Sequence, residues 1–477
     1  MLMPSTTIAT YPQSLDSAVP PAGTPGYRAC HCPQSPRLWL QLLLLLLLLP
    51  LANAHAQTTP PLYFPPLTGS TWASTTPASL GWCQPQLDSL LAFAGRKRSK
   101  SLLILKDGRL VVEQYYGTYT ADSAWYWASA GKSLTATLVG LARQDGQLSL
   151  TDSTSQYLGR WTSATRPQQR QIQLLHQLTM TTGLNDVPPA PCDNESSTPT
   201  CLRYLAPPAT RWAYHTGAYR TLQNVLVQAS GATNMTTYTS QRLGSRIGMA
   251  GLWSNDVFYS KARGMARFGL FILARGAWNG TQILTDAAYF QAMTTPSQTL
   301  NRSYGYLWWL NGQSSYRLPG PQQTVFSGPL IPSAPADLIA ALGKNDQKIY
   351  VVPSLGLVVV RQGNSAGASL LAASSFDNEL WTKIMAVFCR PTASAAAADA
   401  AGFRAFPNPA TEALVLQQPG RAAASMRLLD ALGREVLRQP LAGAETSVSV
   451  VALAPGFYAA QWLDAGGRVL MSRKISR

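Results

Sequence analysis

Two short blocks of the chain run apolar between turn residues, and between them the apolar positions recur at helical spacing. "SLLILKDGRLVVEQYYG", residues 101–117, sets two runs rich in leucine, isoleucine and valine around Asp107-Gly108 and predicts a hairpin. "QKIYVVPSLGLVVVRQG", residues 347–363, predicts a second one. The periodicity between them predicts helices over "SLTATLVGLARQ" (133–144), "YRTLQNVLVQAS" (219–230) and "KARGMARFGLFILARG" (261–276). Two further helical patterns, "QPQLDSLLAFA" (84–94) and "FDNELWTKIMAVF" (376–388), stand outside the hairpins. Strands from both ends with helices between them predict an α/β (α+β) domain. Its antiparallel sheet draws strands from both termini and carries helices on its faces.

The pattern changes at both ends. "RLWLQLLLLLLLLPLANAHAQ" (37–57) follows Arg37 with an apolar run too short to span comfortably and then small residues. That predicts a signal peptide over 1–56, with an n-region long enough to question the start codon. Residues 57–78, rich in Pro, Ser and Thr, read as a linker, and 79–391 as the main domain. "PTASAAAADAAG" leaves a low-complexity tether over 392–402. From 403 to 477 short strands such as "ALVLQQ" and "TSVSVVAL" alternate with turns, which predicts a small all-β sandwich of Greek-key or meander type. No other apolar run is long enough to cross a membrane.

With 46% hydrophobic and 13% charged residues, the 477-residue chain has material for a sizeable core and is not of disordered composition. The formal charge of +16 invites a nucleic-acid reading, but the basic residues are scattered singly without a recognition motif. An exported basic protein meeting anionic surfaces fits better. Four cysteines remain beyond the signal region: Cys83, Cys192, Cys201 and Cys389. In an exported chain they predict two disulfides, with three pairings open. Cys192 and Cys201 bracket the polar stretch "DNESSTPT" and are near enough to close it.

Histidine is nearly absent. Of four, only His176 and His215 lie beyond the signal region, and no protein zinc site is expected from them. "GNSAG" (363–367) has the form G-x-S-x-G, but no histidine follows Ser365, so the glycines read as a strand-to-helix turn. A serine hydroxyl without histidine needs another base. Ser129 and Lys132, in "WASAGKSLTATL", lie three apart at a helix start, where a lysine can reach the hydroxyl and lose its charge by desolvation. Downstream, "RWAYHTGAYRTLQNVL" sets Tyr214 before a helix with Thr216 two positions on, and "AALGKNDQKIYVV" sets Lys344 before a strand.

S-x-x-K, then Tyr-x-polar, then Lys before a strand resembles the serine β-lactamase and penicillin-binding superfamily. The closer likeness is to its class C-like branch, with esterases and 6-aminohexanoate-dimer hydrolases. "QLTMTTGL" (177–184) and "YGYLWW" (304–309) extend it over roughly 80–391. The resemblance implies an antiparallel sheet flanked by helices plus an all-helical region. It implies Ser129 as acylated nucleophile, Lys132 as its base, and Tyr214 as proton donor to the leaving group. Lys344 would support substrate and tyrosine electrostatically, and the backbone N–H groups of Ser129 and Gln347 would form the oxyanion hole. Its first and last helices pack together, which implies Cys83–Cys389 and hence Cys192–Cys201. Thr216 stands where β-lactamases have Asn, and Lys344-Asn345-Asp346 where Lys-Thr-Gly is usual, which weakens β-lactam or D-Ala-D-Ala specificity. The four tryptophans Trp127, Trp212, Trp308 and Trp309 read as core; at most one of the adjacent pair Trp308-Trp309 should face a pocket.

"FPNPA" (406–410), "LLDALGREV" (428–436), "LAPGFYAAQW" (453–462) and the terminal "RKISR" resemble the sorting domain of the type IX secretion system. That implies handling by the type IX machinery and a secreted or cell-surface destination, with the domain commonly removed. The expectation is an exported serine hydrolase, without cofactor or metal, that cleaves a small ester or amide through an acyl-enzyme. The rivals are a D-Ala-D-Ala carboxypeptidase or β-lactamase, and a catalytically silent surface-binding protein of the same fold.

Overall fold

The computed structural model describes residues 61–321, 323–367, 373–388, 402–420, 422–430 and 433–477. The signal region, the Ala-rich stretch 392–401 and Cys389 lie outside the described residues. The elements that position the site are α1 (Gln84–Arg96), β1 (Ser99–Lys106), β2 (Arg109–Tyr115), α2 (Gly131–Gln144), α3 (Thr216–Ser230) and α4 (Ala262–Leu273). After them come β3 (Trp309–Leu310), β4 (Ile339–Gly343), β5 (Gln347–Val352), β6 (Leu357–Gly363) and α5 (Ser375–Val387). The central sheet has the order β2-β1-β6-β5-β4-β3 and is antiparallel throughout. Both expected hairpins are present, and the first turns at Asp107 and Gly108, each at positive φ.

β5 and β6 carry the continuous apolar runs Ile349–Val352 and Leu357–Val360 because both faces of the sheet are covered. Ile349 pairs with Val360 and Val351 with Val358 on one face, while Lys348 with Arg361 and Tyr350 with Val359 occupy the other. α4 seats Gly269 directly on Val358 and Ile349. On the opposite face α5 sets Trp381 edge-on to Tyr350 at 5.6 Å and Phe376 against the Arg361 guanidinium at 5.0 Å. α1 packs beside α5, with Phe93 stacked on Phe376 at 6.0 Å. The Cys83 N–H donates to the Val387 carbonyl at 3.0 Å, at the C-terminal end of α5. Cys83 is disulfide-bonded; its expected partner, Cys389, is outside the described residues. Cys192 and Cys201 form a disulfide with Cα atoms 5.5 Å apart.

One expectation fails. Residues 61–78 are not a free linker but dock along the first hairpin. Trp72 is buried and donates its indole N–H to the Gly108 carbonyl at 2.8 Å. Tyr63, Ala73 and Thr75 exchange backbone bonds with Asp107 and Leu110. Proline and serine hide this because the segment is held by backbone groups and a few aromatic anchors, Tyr63 and Phe64 beside Trp72.

The C-terminal strands form two antiparallel sheets. One holds Arg404–Phe406, Ala413–Gln417 and Glu445–Ser449; the other holds Ser425–Leu429, Glu435–Pro440, Phe457–Leu463 and Val469–Ser476. Leu414, Leu416, Met426, Leu428 and Trp462 alternate inward and share no residue with the core of the main domain. Among the described residues, no helix is long and apolar enough to cross a membrane.

Candidate active site

Ser129 lies in a single 3-10 turn, Ala128–Ala130, ahead of α2 rather than within it. Trp127 anchors the turn: it is fully buried, its backbone N–H bonds Phe258 at 2.8 Å, and its indole N–H bonds Ser260 at 2.8 Å. Ala128 is held at φ +48°, a conformation an alanine adopts only when its surroundings impose it. Gly343, the last residue of β4, touches this turn. A Cβ there would lie 2.4 Å from the Trp127 carbonyl oxygen, so only glycine lets the sheet edge reach the serine.

α2 is a core helix, with twelve of its fourteen residues buried, so a lysine in its first turn has little water. Thr135 and Thr137 resolve their own burial by donating to carbonyls four residues back, and Ser133 donates to Leu307. Among the described residues, Lys132 has no carboxylate within ion-pair distance. It is 2% exposed, and its Nζ donates to Ser129 Oγ at 2.9 Å and to Thr216 Oγ1 at 3.3 Å. The rings of Tyr219 and Tyr214 flank the amine at 4.6 and 5.0 Å. Burial pushes its pKa down to about 7; the Glu195 carboxylate opposes this and the Arg220 guanidinium adds to it.

Tyr214 is buried, and burial holds its pKa above the ordinary phenol value although the Ser129 hydroxyl beside it pulls the other way. Its ring stacks on Trp309 at 6.0 Å and 21°, with Tyr304 edge-on at 6.2 Å. Trp308 turns to the other side and stacks on Phe268 at 5.9 Å. The adjacent tryptophans therefore do split: one backs the tyrosine and the other fills the core.

The two remaining histidines cap helices. His215 Nδ1 accepts the Ala218 N–H at 3.2 Å at the start of α3, and burial lowers its pKa to about 4. His176 Nδ1 accepts the Gln173 N–H at 3.0 Å. Ser365 donates its hydroxyl to the Gly367 carbonyl at 2.7 Å. Among the described residues, no group of three or more His, Cys, Asp or Glu side chains could hold a metal ion.

Ser129, Lys132, Tyr214 and Thr216 are thus brought together, and the third motif is arranged differently. The Lys344 side chain is exposed and makes no hydrogen bond or ion pair among the described residues. Gln347 is buried at the start of β5, where its amide donates to the Gly363 carbonyl at 2.7 Å and accepts the Gly363 N–H at 3.1 Å. The corner between them is fixed from below. Asn345 and Asp346 both take positive φ, and the Asp346 carboxylate accepts from Ala366 and Ser374 beside buried Lys348. Arg361, also buried, donates to the Asp346 carbonyl at 2.8 Å. Sequence reasoning missed Gly343, whose signal was a lone glycine ending an apolar strand. It also missed Asn194, whose amide bonds Tyr214 and Thr216 from a distant loop.

A family model described as Beta-lactamase matches residues 91–370, more than half of the chain. The chain belongs to the beta-lactamase family. A second model, a secretion system C-terminal sorting domain, matches residues 404–475, so this family member also carries a secretion address. Among solved structures the fold is similar to a protein assigned as a 6-aminohexanoate-dimer hydrolase from Bacillus anthracis. There the TM-score is 0.51 at 18% identity, over 66% of this chain and 87% of that one. It is also similar to a penicillin-binding protein homologue from Caulobacter crescentus, with TM-score 0.50 and 13% identity over 67% of this chain and all of the other. No curated protein matches the chain.

Proposed function

We propose that the chain is an exported serine hydrolase that cleaves a small ester or amide through an acyl-enzyme on Ser129. The observation that carries this reading is the buried Lys132 amine 2.9 Å from the Ser129 hydroxyl, with no ion-paired carboxylate among the described residues to keep it charged. Near neutral pH a large fraction of that amine is unprotonated and able to take the serine proton. Ser129 Oγ then bonds the acyl carbon, and the carbonyl electron pair moves onto oxygen. Two backbone N–H groups would hold that oxyanion. One is that of Ser129. Because Gly343 is the strand residue set against the serine turn, we favour the following amide, that of Lys344, over Gln347 as the second.

Collapse of the intermediate breaks the bond to the leaving group. The proton reaches that group from Lys132 through Tyr214, whose raised pKa suits a phenol that donates. Water then repeats the sequence on the acyl-enzyme and frees Ser129. Thr216 in place of an amide side chain, and a third-motif lysine turned to solvent, support an ester or simple amide over a β-lactam.

The test is a substrate panel of p-nitrophenyl esters, nitrocefin and short amide oligomers, run on the wild type and on Ser129→Ala. Turnover of esters or amides that vanishes in Ser129→Ala is the expected result. Nitrocefin as the preferred substrate would favour the β-lactamase reading, and an active Ser129→Ala protein would remove the serine from the mechanism.

A further inference from the structure

We infer that Asn194, inside the loop closed by the Cys192–Cys201 disulfide, is a positioning residue that sets Tyr214 and Thr216 against Ser129 and Lys132. The inference rests on the catalytic roles proposed above. The first N–H groups of a helix have no partner within it. In α3 these belong to Thr216, Gly217 and Ala218, and the third is taken by His215. The other two go to one residue of the loop: Thr216 N–H donates to Asn194 Oδ1 at 3.1 Å, and Gly217 N–H to the Asn194 carbonyl at 2.8 Å. Asn194 Nδ2 donates in turn to the Tyr214 carbonyl at 3.0 Å and to the Asp186 carbonyl at 3.2 Å. A single side chain therefore spans the residues that carry the phenol and the Thr216 hydroxyl.

The loop is seated closely on the helix start and has no apolar core of its own. A Cβ on Gly217 would lie 2.1 Å from the Ser196 carbonyl oxygen, so loop and helix start are in backbone contact. The stretch 193–200 is polar, and none of its residues is buried. Its fastenings include the disulfide, the Asp193 carboxylate accepting from Glu195 and Ser196, the Asp186–Arg211 ion pair at 2.7 Å just ahead of it, and Glu195, which binds Arg220 of α3 through carboxylate and carbonyl. Closing the loop limits the conformations in which Asn194 would be absent from the helix start.

A purely structural role would lower stability and leave the folded protein reacting at its usual rate. A positioning role changes the rate itself. The probe is a fluorophosphonate on the full chain, with the rate of Ser129 adduct formation followed by intact mass from pH 5 to 10 beside a thermal melt. Asn194→Ala should react about 10- to 100-fold more slowly while melting cooperatively, the scale expected for a small misplacement of reacting groups. Asn194→Asp keeps an acceptor for Thr216 and adds a carboxylate against the residue whose hydroxyl accepts from Lys132, so the acid limb of the rate should move to higher pH. The other titratable or charged groups around that amine are Tyr214, Tyr219, Glu195 and Arg220, all unchanged in these variants. The double replacement Cys192→Ser with Cys201→Ser should slow the reaction in the same direction as Asn194→Ala. If Asn194→Ala does not fold, the other two variants carry the test. A wild-type rate and pH profile in the folded variants overturns the inference alone; no adduct at Ser129 in the wild type overturns the catalytic reading and this inference with it.

Discussion

Two lysines from two motifs meet opposite fates. Lys132 is 2% exposed at the start of a core helix, with hydroxyls and aromatic faces around its amine. Lys344 is exposed at a hairpin corner whose own backbone, through Gly343, is what approaches the serine. The buried amine is pushed toward its neutral form, which is what the proposed base requires. At the other motif the main chain does the positioning, and the side chain is left to solvent. A lysine in a motif is therefore informative only together with its burial.

The comparison can be broken first at the buried side. Lys132→Met should lower turnover at least about 10²-fold, the usual scale for an acid–base group, and Lys132→Arg should not restore it because a guanidinium stays charged. Steady-state rates on the best substrate of the panel check this. Tyr214→Phe should cost about 10²-fold on alkyl ester or amide leaving groups, and much less on p-nitrophenyl esters, whose leaving group departs without a proton. An equal loss on both would move Tyr214 from proton donor to packing.

Stability offers a third test, with the opposite sign from activity. Below about pH 7 both folded and unfolded Lys132 are protonated, so folding bears the full cost of burying an ammonium. As pH rises, the folded amine loses its proton before the unfolded one does, and stability from this group increases. Lys132→Met should therefore melt above wild type at pH 6, with the gap narrowing toward pH 10. The exposed lysine should be nearly silent: Lys344→Ala should change stability by no more than about 0.5 kcal/mol and turnover by about twofold or less. Smallest of all, a chain ending near Pro391 should hydrolyse substrate at the full-length rate, since the two hydrophobic cores share no residue.

The frame of the domain was readable because its signals are local. Asp107-Gly108 between two apolar runs makes a hairpin wherever it stands, and the spacing from Ser129 to Lys132 is one turn of helix. The Cys192–Cys201 loop was readable for the same reason, being closed over a short polar stretch. What escaped was set by register and by distance. Where β4 stops, and so which residue of the third motif follows Gly343 toward the serine turn, is set by the positive φ of Asn345 and Asp346, which the sequence does not announce. Asn194 reaches Tyr214 across twenty residues through its side-chain amide, a contact that leaves no periodic trace. The docked segment 61–78 carries the composition of a linker, relieved only by Trp72 and the apolar triplet Leu62-Tyr63-Phe64.

The central claim is that Lys132 is the base that activates Ser129, and the pH dependence of Ser129 acylation tests it most directly. The rate of fluorophosphonate adduct formation at Ser129, followed by mass from pH 5 to 10, should rise through a single ionisation near 7 and then level, as the buried amine loses its proton. Lys132→Met should abolish that limb and leave a slow residual rate. A limb that persists unchanged in Lys132→Met, or one centred near the ordinary lysine value of about 10.4, would contradict it.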